Sequence, residues 1–197
     1  MMVLFLIGPS ACGKGTQAGL LSERYNLEHI SVGDLLRSEV DRKTEIGLEV
    51  EPVLKAGHFV EGNIIYKLLH EKTEKLFDEG KGIIIDGFPR LYSQAEASEK
   101  FIRHGVYFKV ILYSLDMEEC KRRLENRFST GGQRADDNVL TEREKSFFQD
   151  IDRIKKYYSL RGQMLEINAK PSIEDIFLQT TMLIDNDMIK ENIFYNE

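Results

Sequence analysis

A chain of 197 residues, 42% of them hydrophobic, is the size of one domain with room for inserted lobes and is expected to be soluble and globular. Its formal net charge of −6, without a dense basic tract, argues against general affinity for nucleic acid or acidic membrane surfaces, so the expected ligand is small. Two cysteines, Cys12 and Cys120, show neither a paired metal spacing nor a disulfide framework, and the N-terminal apolar run is too short for a signal peptide or a membrane span; a cytoplasmic protein is expected.

In chain order, the first element is the apolar run Val3 to Ile7, read as a strand. It leads directly into Gly8-Pro-Ser-Ala-Cys-Gly-Lys-Gly-Thr16, and Thr16 to Tyr25 reads as a helix. That context makes a phosphate-binding loop. Gly8 and Gly13 let the backbone curl and aim several N–H groups at one anion, with Ala11, Cys12 and Gly15 inside the curl. Lys14 places an ammonium among the phosphates, and Thr16 offers a hydroxyl to a magnesium ion. A plain glycine-rich turn between strand and helix has no need of the Lys-x-Thr continuation.

Glu28 to Ser31 is a shorter strand candidate, and Gly33 to Val60 looks helical, with glycines at Gly47 and Gly57. A helix is expected over Ile64 to Phe77, then strands at Ile83 to Ile85 and Val110 to Tyr113. Helical patterns cover Met117 to Arg127 and Thr141 to Leu160, and a last strand covers Met164 to Ile167. The alternation argues for an α/β fold with a mostly parallel sheet and a ligand at the carboxyl ends of its strands. Gly33 to Val60 and the polar, glycine-rich Phe128 to Asn138 have no strand partner and are candidate mobile lobes over the site.

Three further places suit anionic ligands. Asp86 ends a buried strand and is followed by a tight turn and Arg90; the acid is placed to hold magnesium through water, and the guanidinium to clamp a phosphate, although an Asp-Gly turn after a strand is also common without function. Arg37 is a second cation that, taken alone, reads most often as a solvated helix residue. From Lys121 to Arg134 five basic residues face one acid, Glu125, and Arg123 and Arg127 share a helix face: either a solvated basic face or guanidiniums converging on phosphate. His29, His58, His70 and His104 have no metal spacing and read as structural or exposed, and the pairs Phe147-Phe148 and Tyr157-Tyr158 read as core.

These motifs, in this order, resemble the nucleoside monophosphate kinases of the adenylate kinase and UMP/CMP kinase group, over nearly the whole chain: Gly8 to Thr16 with Gln17, Ile30-Ser-Val-Gly-Asp-Leu-Leu-Arg37, Asp86-Gly-Phe-Pro-Arg90 and Arg134-Ala-Asp-Asp-Asn138. The resemblance implies a P-loop three-layer fold with a central five-stranded parallel sheet, a small helical acceptor-binding lobe over about 31–60 and a short lid over about 128–138. It implies ATP with Mg2+, and a monomer acting on small nucleotides. Lys14 is implied at the transferring phosphates, Thr16 and Asp86 at magnesium, and Arg123 with Lys170 at the donor nucleotide. Arg127 and Arg134 are implied to neutralise charge in transfer. Arg37 and Arg90 are implied to hold the acceptor's phosphate, with Ser31, Val32, Phe59, Val60, Gly87 and Gln94 completing the acceptor side. Asp136 and Asp137 resemble the acidic pair that helps the lid close.

Departures from the family pattern are equally specific. Members often carry Pro-Gly within the loop where this chain has Ser10-Ala11 followed by Cys12. The arginine usual nine residues past the first aspartate of the acidic pair is replaced by Lys145, with Arg143 nearby as a substitute; lysine keeps the charge and loses the planar fork. The short lid has no cysteine to hold zinc. Gln94, four residues after Arg90, matches the glutamine with which adenylate kinases bond adenine and favours AMP, whereas Val32 sits where many of them have threonine. A UMP/CMP kinase is the first alternative reading; a P-loop ATPase or nucleotide switch stands behind it, and a guanine-specific switch would need an Asn-Lys-x-Asp reader, which the chain lacks. Cys12, beside Lys14 at a helix N-terminus, reads first as a small loop residue without chemistry; the sharper alternative is a thiol that reacts with thiol reagents and is protected by ATP.

Overall fold

Six consecutive buried residues, Met2–Ile7, form β1, the middle strand of a five-stranded sheet in the computed structural model, which describes residues 1–101, 105–129 and 140–191. An unbroken apolar run is what a strand covered on both faces requires. The chain continues through α1 (Lys14–Tyr25), β2 (Leu27–Ser31), α2 (Val32–Asp41), α3 (Glu45–Lys55), α4 (Gly62–Asp78), β3 (Gly82–Asp86) and α5 (Tyr92–Ala97). A 3-10 turn at Ser98–Phe101 precedes β4 (Tyr107–Ser114), α6 (Met117–Ser129), α7 (Leu140–Ser159), β5 (Met164–Asn168) and α8 (Ile173–Lys190). The strand order is β2-β3-β1-β4-β5, all parallel.

Alternate residues of β1 feed two cores. Val3, Phe5 and Ile7 pack with α4, α5 and α7, and Phe5 meets Phe88, Phe101 and Phe108 edge-on at 5.0–6.0 Å. Met2, Leu4 and Leu6 pack on the other face with α1 and α8. The result is helix, sheet, helix. Because β1 separates the β2–β3 side from the β4–β5 side, the loop after β1 emerges at the point where the strand order reverses, which is where open α/β sheets bind ligands. Phe147, Tyr157 and Tyr158 are buried, as core packing requires, while Phe148 is half-buried.

Several sequence expectations shift. Helix α1 starts two residues earlier than read, at Lys14, because Gly13 caps it at φ 94°. The helical reading of Gly33 to Val60 holds over most of its length, as two helices, α2 and α3, parted at Lys43, which sits in the left-handed region at φ 53°. Thr44 then starts α3 by accepting the Gly47 N–H at 3.0 Å. Gly47 is a packing position, since a Cβ there would collide with the backbone of Glu39 in α2. Phe128 and Ser129 belong to α6 and not to a glycine-rich lid; residues 130–138 of that segment, with Arg134, Asp136 and Asp137, lie outside the described residues, as does His104. Helices α5 and α8 add to the elements expected from the sequence. Among the described residues, no helix is long and apolar enough to cross a membrane.

Candidate active site

The loop between β1 and α1 forms one wall of a cleft of about 1100 Å3 that is also lined by α2, α3, the β3–α5 turn, α6 and α7. A single small-molecule pocket is typically ~300–1000 Å3, so this cleft has room for two nucleotides. Gly8 starts the loop at φ 150°, and a Cβ there would run into the Tyr113 carbonyl. Its own carbonyl is used twice, accepting from Lys14 Nζ at 2.8 Å and from Arg90 Nη1 at 3.0 Å. Lys14 is 7% exposed and also donates to Pro9 O at 2.7 Å. Two cations that line the cleft, Lys14 and Arg90, are therefore held by one backbone oxygen.

Arg90 is fixed on every side. Its Nε donates to Gly87 O at 3.2 Å, and its guanidinium carbon lies 5.6 Å from the Phe59 ring centroid and 5.7 Å from that of Phe147. Stacked and hydrogen-bonded, it is oriented before any ligand arrives. Arg37 lines the cleft from α2 and pairs with Asp34 at 2.5 Å; Ser31 caps α2 by accepting the Asp34 N–H. Arg123, Arg127 and Arg143 line the opposite side. Arg123 is aimed by two contacts, Nε to Glu119 at 2.7 Å and Nη2 to Lys170 O at 3.1 Å. Hydrogen bonds from the guanidiniums of Arg122 and Arg123 hold the Glu119 carboxyl down at about 2.

Asp86 ends β3 in register with Ser31 of β2 and Leu6 of β1. Burial alone would raise its carboxyl; the His29 imidazole, 3.9 Å away, and the charges of Lys14 and Arg90 outweigh it and hold the pKa below the ordinary aspartate range. Asp86 Oδ1 is buried without a hydrogen-bond partner among the described residues, and Thr16 brings an exposed hydroxyl to the same cleft. One carboxylate and one hydroxyl, with a buried oxygen awaiting a partner, fit Mg2+, which keeps several waters and takes its other ligands from phosphates. The described residues contain no group of three or more His, Cys, Asp or Glu side chains poised for a metal.

The cleft gathers Ala11, Gly13, Lys14, Gly15, Thr16, Ser31, Val32, Arg37, Phe59, Val60, Asp86, Gly87, Arg90, Gln94, Arg123 and Arg127. It does not gather four others. Gly8 starts the loop without lining the cleft; Lys170 is exposed, paired with Asp116 at 2.6 Å, and contributes only its carbonyl to Arg123. Cys12 is fully buried with Sγ 3.4 Å from Lys14 Nζ, so it faces inward, and the expectation of ready modification is corrected: a reagent reaches it only if the loop opens. Lys145 is exposed and off the cleft, whereas Arg143 lines it and donates to Leu54 O at 3.4 Å. Two positions along a helix are about 200° apart around its axis, so only one of this pair can face the cleft.

Gln94 lines the cleft already engaged. Its Oε1 accepts the N–H groups of Arg90 and Leu91, and its Nε2 donates to Val60 O at 2.7 Å, leaving one amide N–H for a ligand. Sequence reasoning missed Ser10, Glu51, Leu54 and His58, which also line the cleft. The last three recur at positions i, i+3 and i+7 on and just after α3, a helical spacing that was legible.

A family profile described as "Adenylate kinase" matches residues 6–163. The chain is 34% identical over 190 residues to an adenylate kinase of Azobacteroides pseudotrichonymphae genomovar. CFP2, covering 94% of this chain and 98% of the relative. It is 37% identical over 177 residues to an adenylate kinase of Synechococcus sp. (strain WH7803), covering 88% and 93%, and 32% identical over 186 residues to adenylate kinase isoenzyme 1 of Caenorhabditis elegans, covering 93% and 87%. With a five-stranded parallel sheet, a lysine-bearing phosphate loop at its reversal point and this match over most of its length, the chain belongs to the adenylate kinase family.

Proposed function

We infer that this enzyme transfers the γ-phosphoryl group of ATP to AMP, giving two ADP. The observation that carries the reading is the single cleft, large enough for two nucleotides, in which the phosphate loop and Arg90 share the Gly8 carbonyl. Donor phosphates belong on the loop, under Lys14, with the donor nucleotide beside Arg123. The acceptor phosphate belongs between Arg37 and Arg90, with its base toward Val32, Val60 and the free N–H of Gln94. Transfer between two anions needs neutralised charge and alignment more than a protein nucleophile, and Lys14, Arg90, Arg127 and Arg143 supply the charge. Asp86 and Thr16 would hold Mg2+, which neutralises phosphate charge when bound.

Water is the competing acceptor. The helices α2 and α3 over 31–60 form the lobe we propose to close on the acceptor, and the segment after α6, up to about residue 138, is proposed as the lid on the donor side, excluding water. Arg134 belongs to that lid and is proposed to meet the transferring phosphate. We further propose a monomer in a reducing compartment, where both buried thiols stay free. An acceptor panel tests the reading: ADP formation from ATP with AMP, UMP, CMP, dCMP and GMP, alongside ATP hydrolysis without acceptor. AMP is expected to react fastest; preference for UMP or CMP would discard the AMP assignment, and hydrolysis outpacing transfer to every acceptor would discard the kinase.

A further inference from the structure

The carboxylate of Glu144 takes no part in the site described above, yet it is 5% exposed and reaches from α7 to the phosphate loop, where Oε1 accepts the Ser10 N–H at 3.0 Å. Its other oxygen, Oε2, is buried with no hydrogen-bond partner among the described residues. A buried carboxylate held by one neutral donor is unfavourable for stability, so its place calls for another account. The charge reaches further into the fold: burial, and then Glu144, push the Cys120 thiol up to about 12.

A phosphate loop works by turning successive backbone N–H groups toward an anion, and nothing in a flexible loop alone decides which amides turn inward. Here the Ser10 amide is committed to Glu144. That bond fixes the chain between Pro9, whose carbonyl accepts from Lys14, and Ala11, which sits at φ 58°. The same turn of α7 carries Arg143 into the cleft and Phe147 against the Arg90 guanidinium. We propose that Glu144 is a positioning residue for the donor side: it latches the phosphate loop to α7, so that the curl of the loop and the place of Arg143 are set by one helix. This rests on the phosphotransfer reading and adds a determinant of ATP affinity that lies outside the cleft.

Three variants separate reach from charge. Glu144→Gln keeps the length and the accepting oxygen, Glu144→Asp keeps the charge but is one methylene short of Ser10, and Glu144→Leu loses both. Each is compared with wild type for KM of ATP and of AMP, for kcat, and for equilibrium binding of a non-hydrolysable ATP analogue by calorimetry. Leu and Asp are expected to weaken analogue binding and raise the KM for ATP about tenfold, the loss of about one hydrogen bond's ordering, with the KM for AMP within about twofold. Gln is expected to stay within about threefold of wild type for ATP. Should the Leu variant not fold, the Asp and Gln pair still decides. Gln as poor as Asp, equal rises in both KM values, or wild-type analogue affinity in Leu or Asp overturns the latch. A wild-type protein that binds no analogue overturns the phosphotransfer reading instead.

Discussion

Lys14 places its ammonium within reach of the Gly8 and Pro9 carbonyls and Cys12 Sγ, all inside its own loop, so in the proposed role phosphate would replace neutral acceptors with charged ones. Lys14→Met is therefore expected to lower kcat/KM by about 10²–10³-fold or more while the far-ultraviolet spectrum is kept; steady-state assay with circular dichroism checks it. Ala11 sits in the left-handed region, which disfavours a side chain by about 1–2 kcal/mol, so Ala11→Gly is expected to stabilise the fold by up to about 1 kcal/mol in urea unfolding. Lys14, Thr16, Asp86 and Arg90 were legible because each lies in a contiguous motif whose chemistry is local. The choice between Lys145 and Arg143 was not: counting residues from Asp136 cannot give the rotational frame of α7, which is set by Phe147 packing one turn on from Arg143. Arg143→Ala is expected to cut kcat/KM about 10²-fold and Lys145→Ala to leave it within about twofold.

At the scale of elements, the sequence announced the alternation of strands and helices but not the last clamp. Helix α8 was missed because its polar and apolar residues do not segregate cleanly: Leu178, Met182 and Ile189 are exposed while Thr180 and Thr181 are buried. Its anchor is Lys109 of β4, 2% exposed, which pairs with Asp187 at 2.8 Å and Glu191 at 2.6 Å and donates to Gly162 O at 2.7 Å. Lys109→Ala strands two partly exposed acids, and a loss of about 2–3 kcal/mol is expected in urea unfolding, less than for a fully buried pair. Strand β3 carries a pH dependence of its own. Asp86 has a folded pKa below its unfolded value of about 4, so ionised Asp86 favours folding above that pH, and the contribution is lost as pH falls through the folded pKa. Asp86→Asn is expected to flatten the acid limb of stability below about pH 4, measured by urea unfolding at successive pH values.

For the whole molecule, the sheet reversal at β1 brings the loop after β1, the β3 carboxylate and the β3–α5 turn to one end, and the helices around it share one cleft with them. The central claim is that this cleft holds donor and acceptor together and passes phosphoryl directly between them. The most direct measurement is the fate of ATP's γ-phosphoryl, labelled with 32P, when purified enzyme meets ATP, Mg2+ and AMP. The label is expected in ADP made from AMP, with inorganic phosphate a trace that does not rise when AMP is withheld. Label released chiefly as inorganic phosphate, at a rate indifferent to AMP, would contradict it.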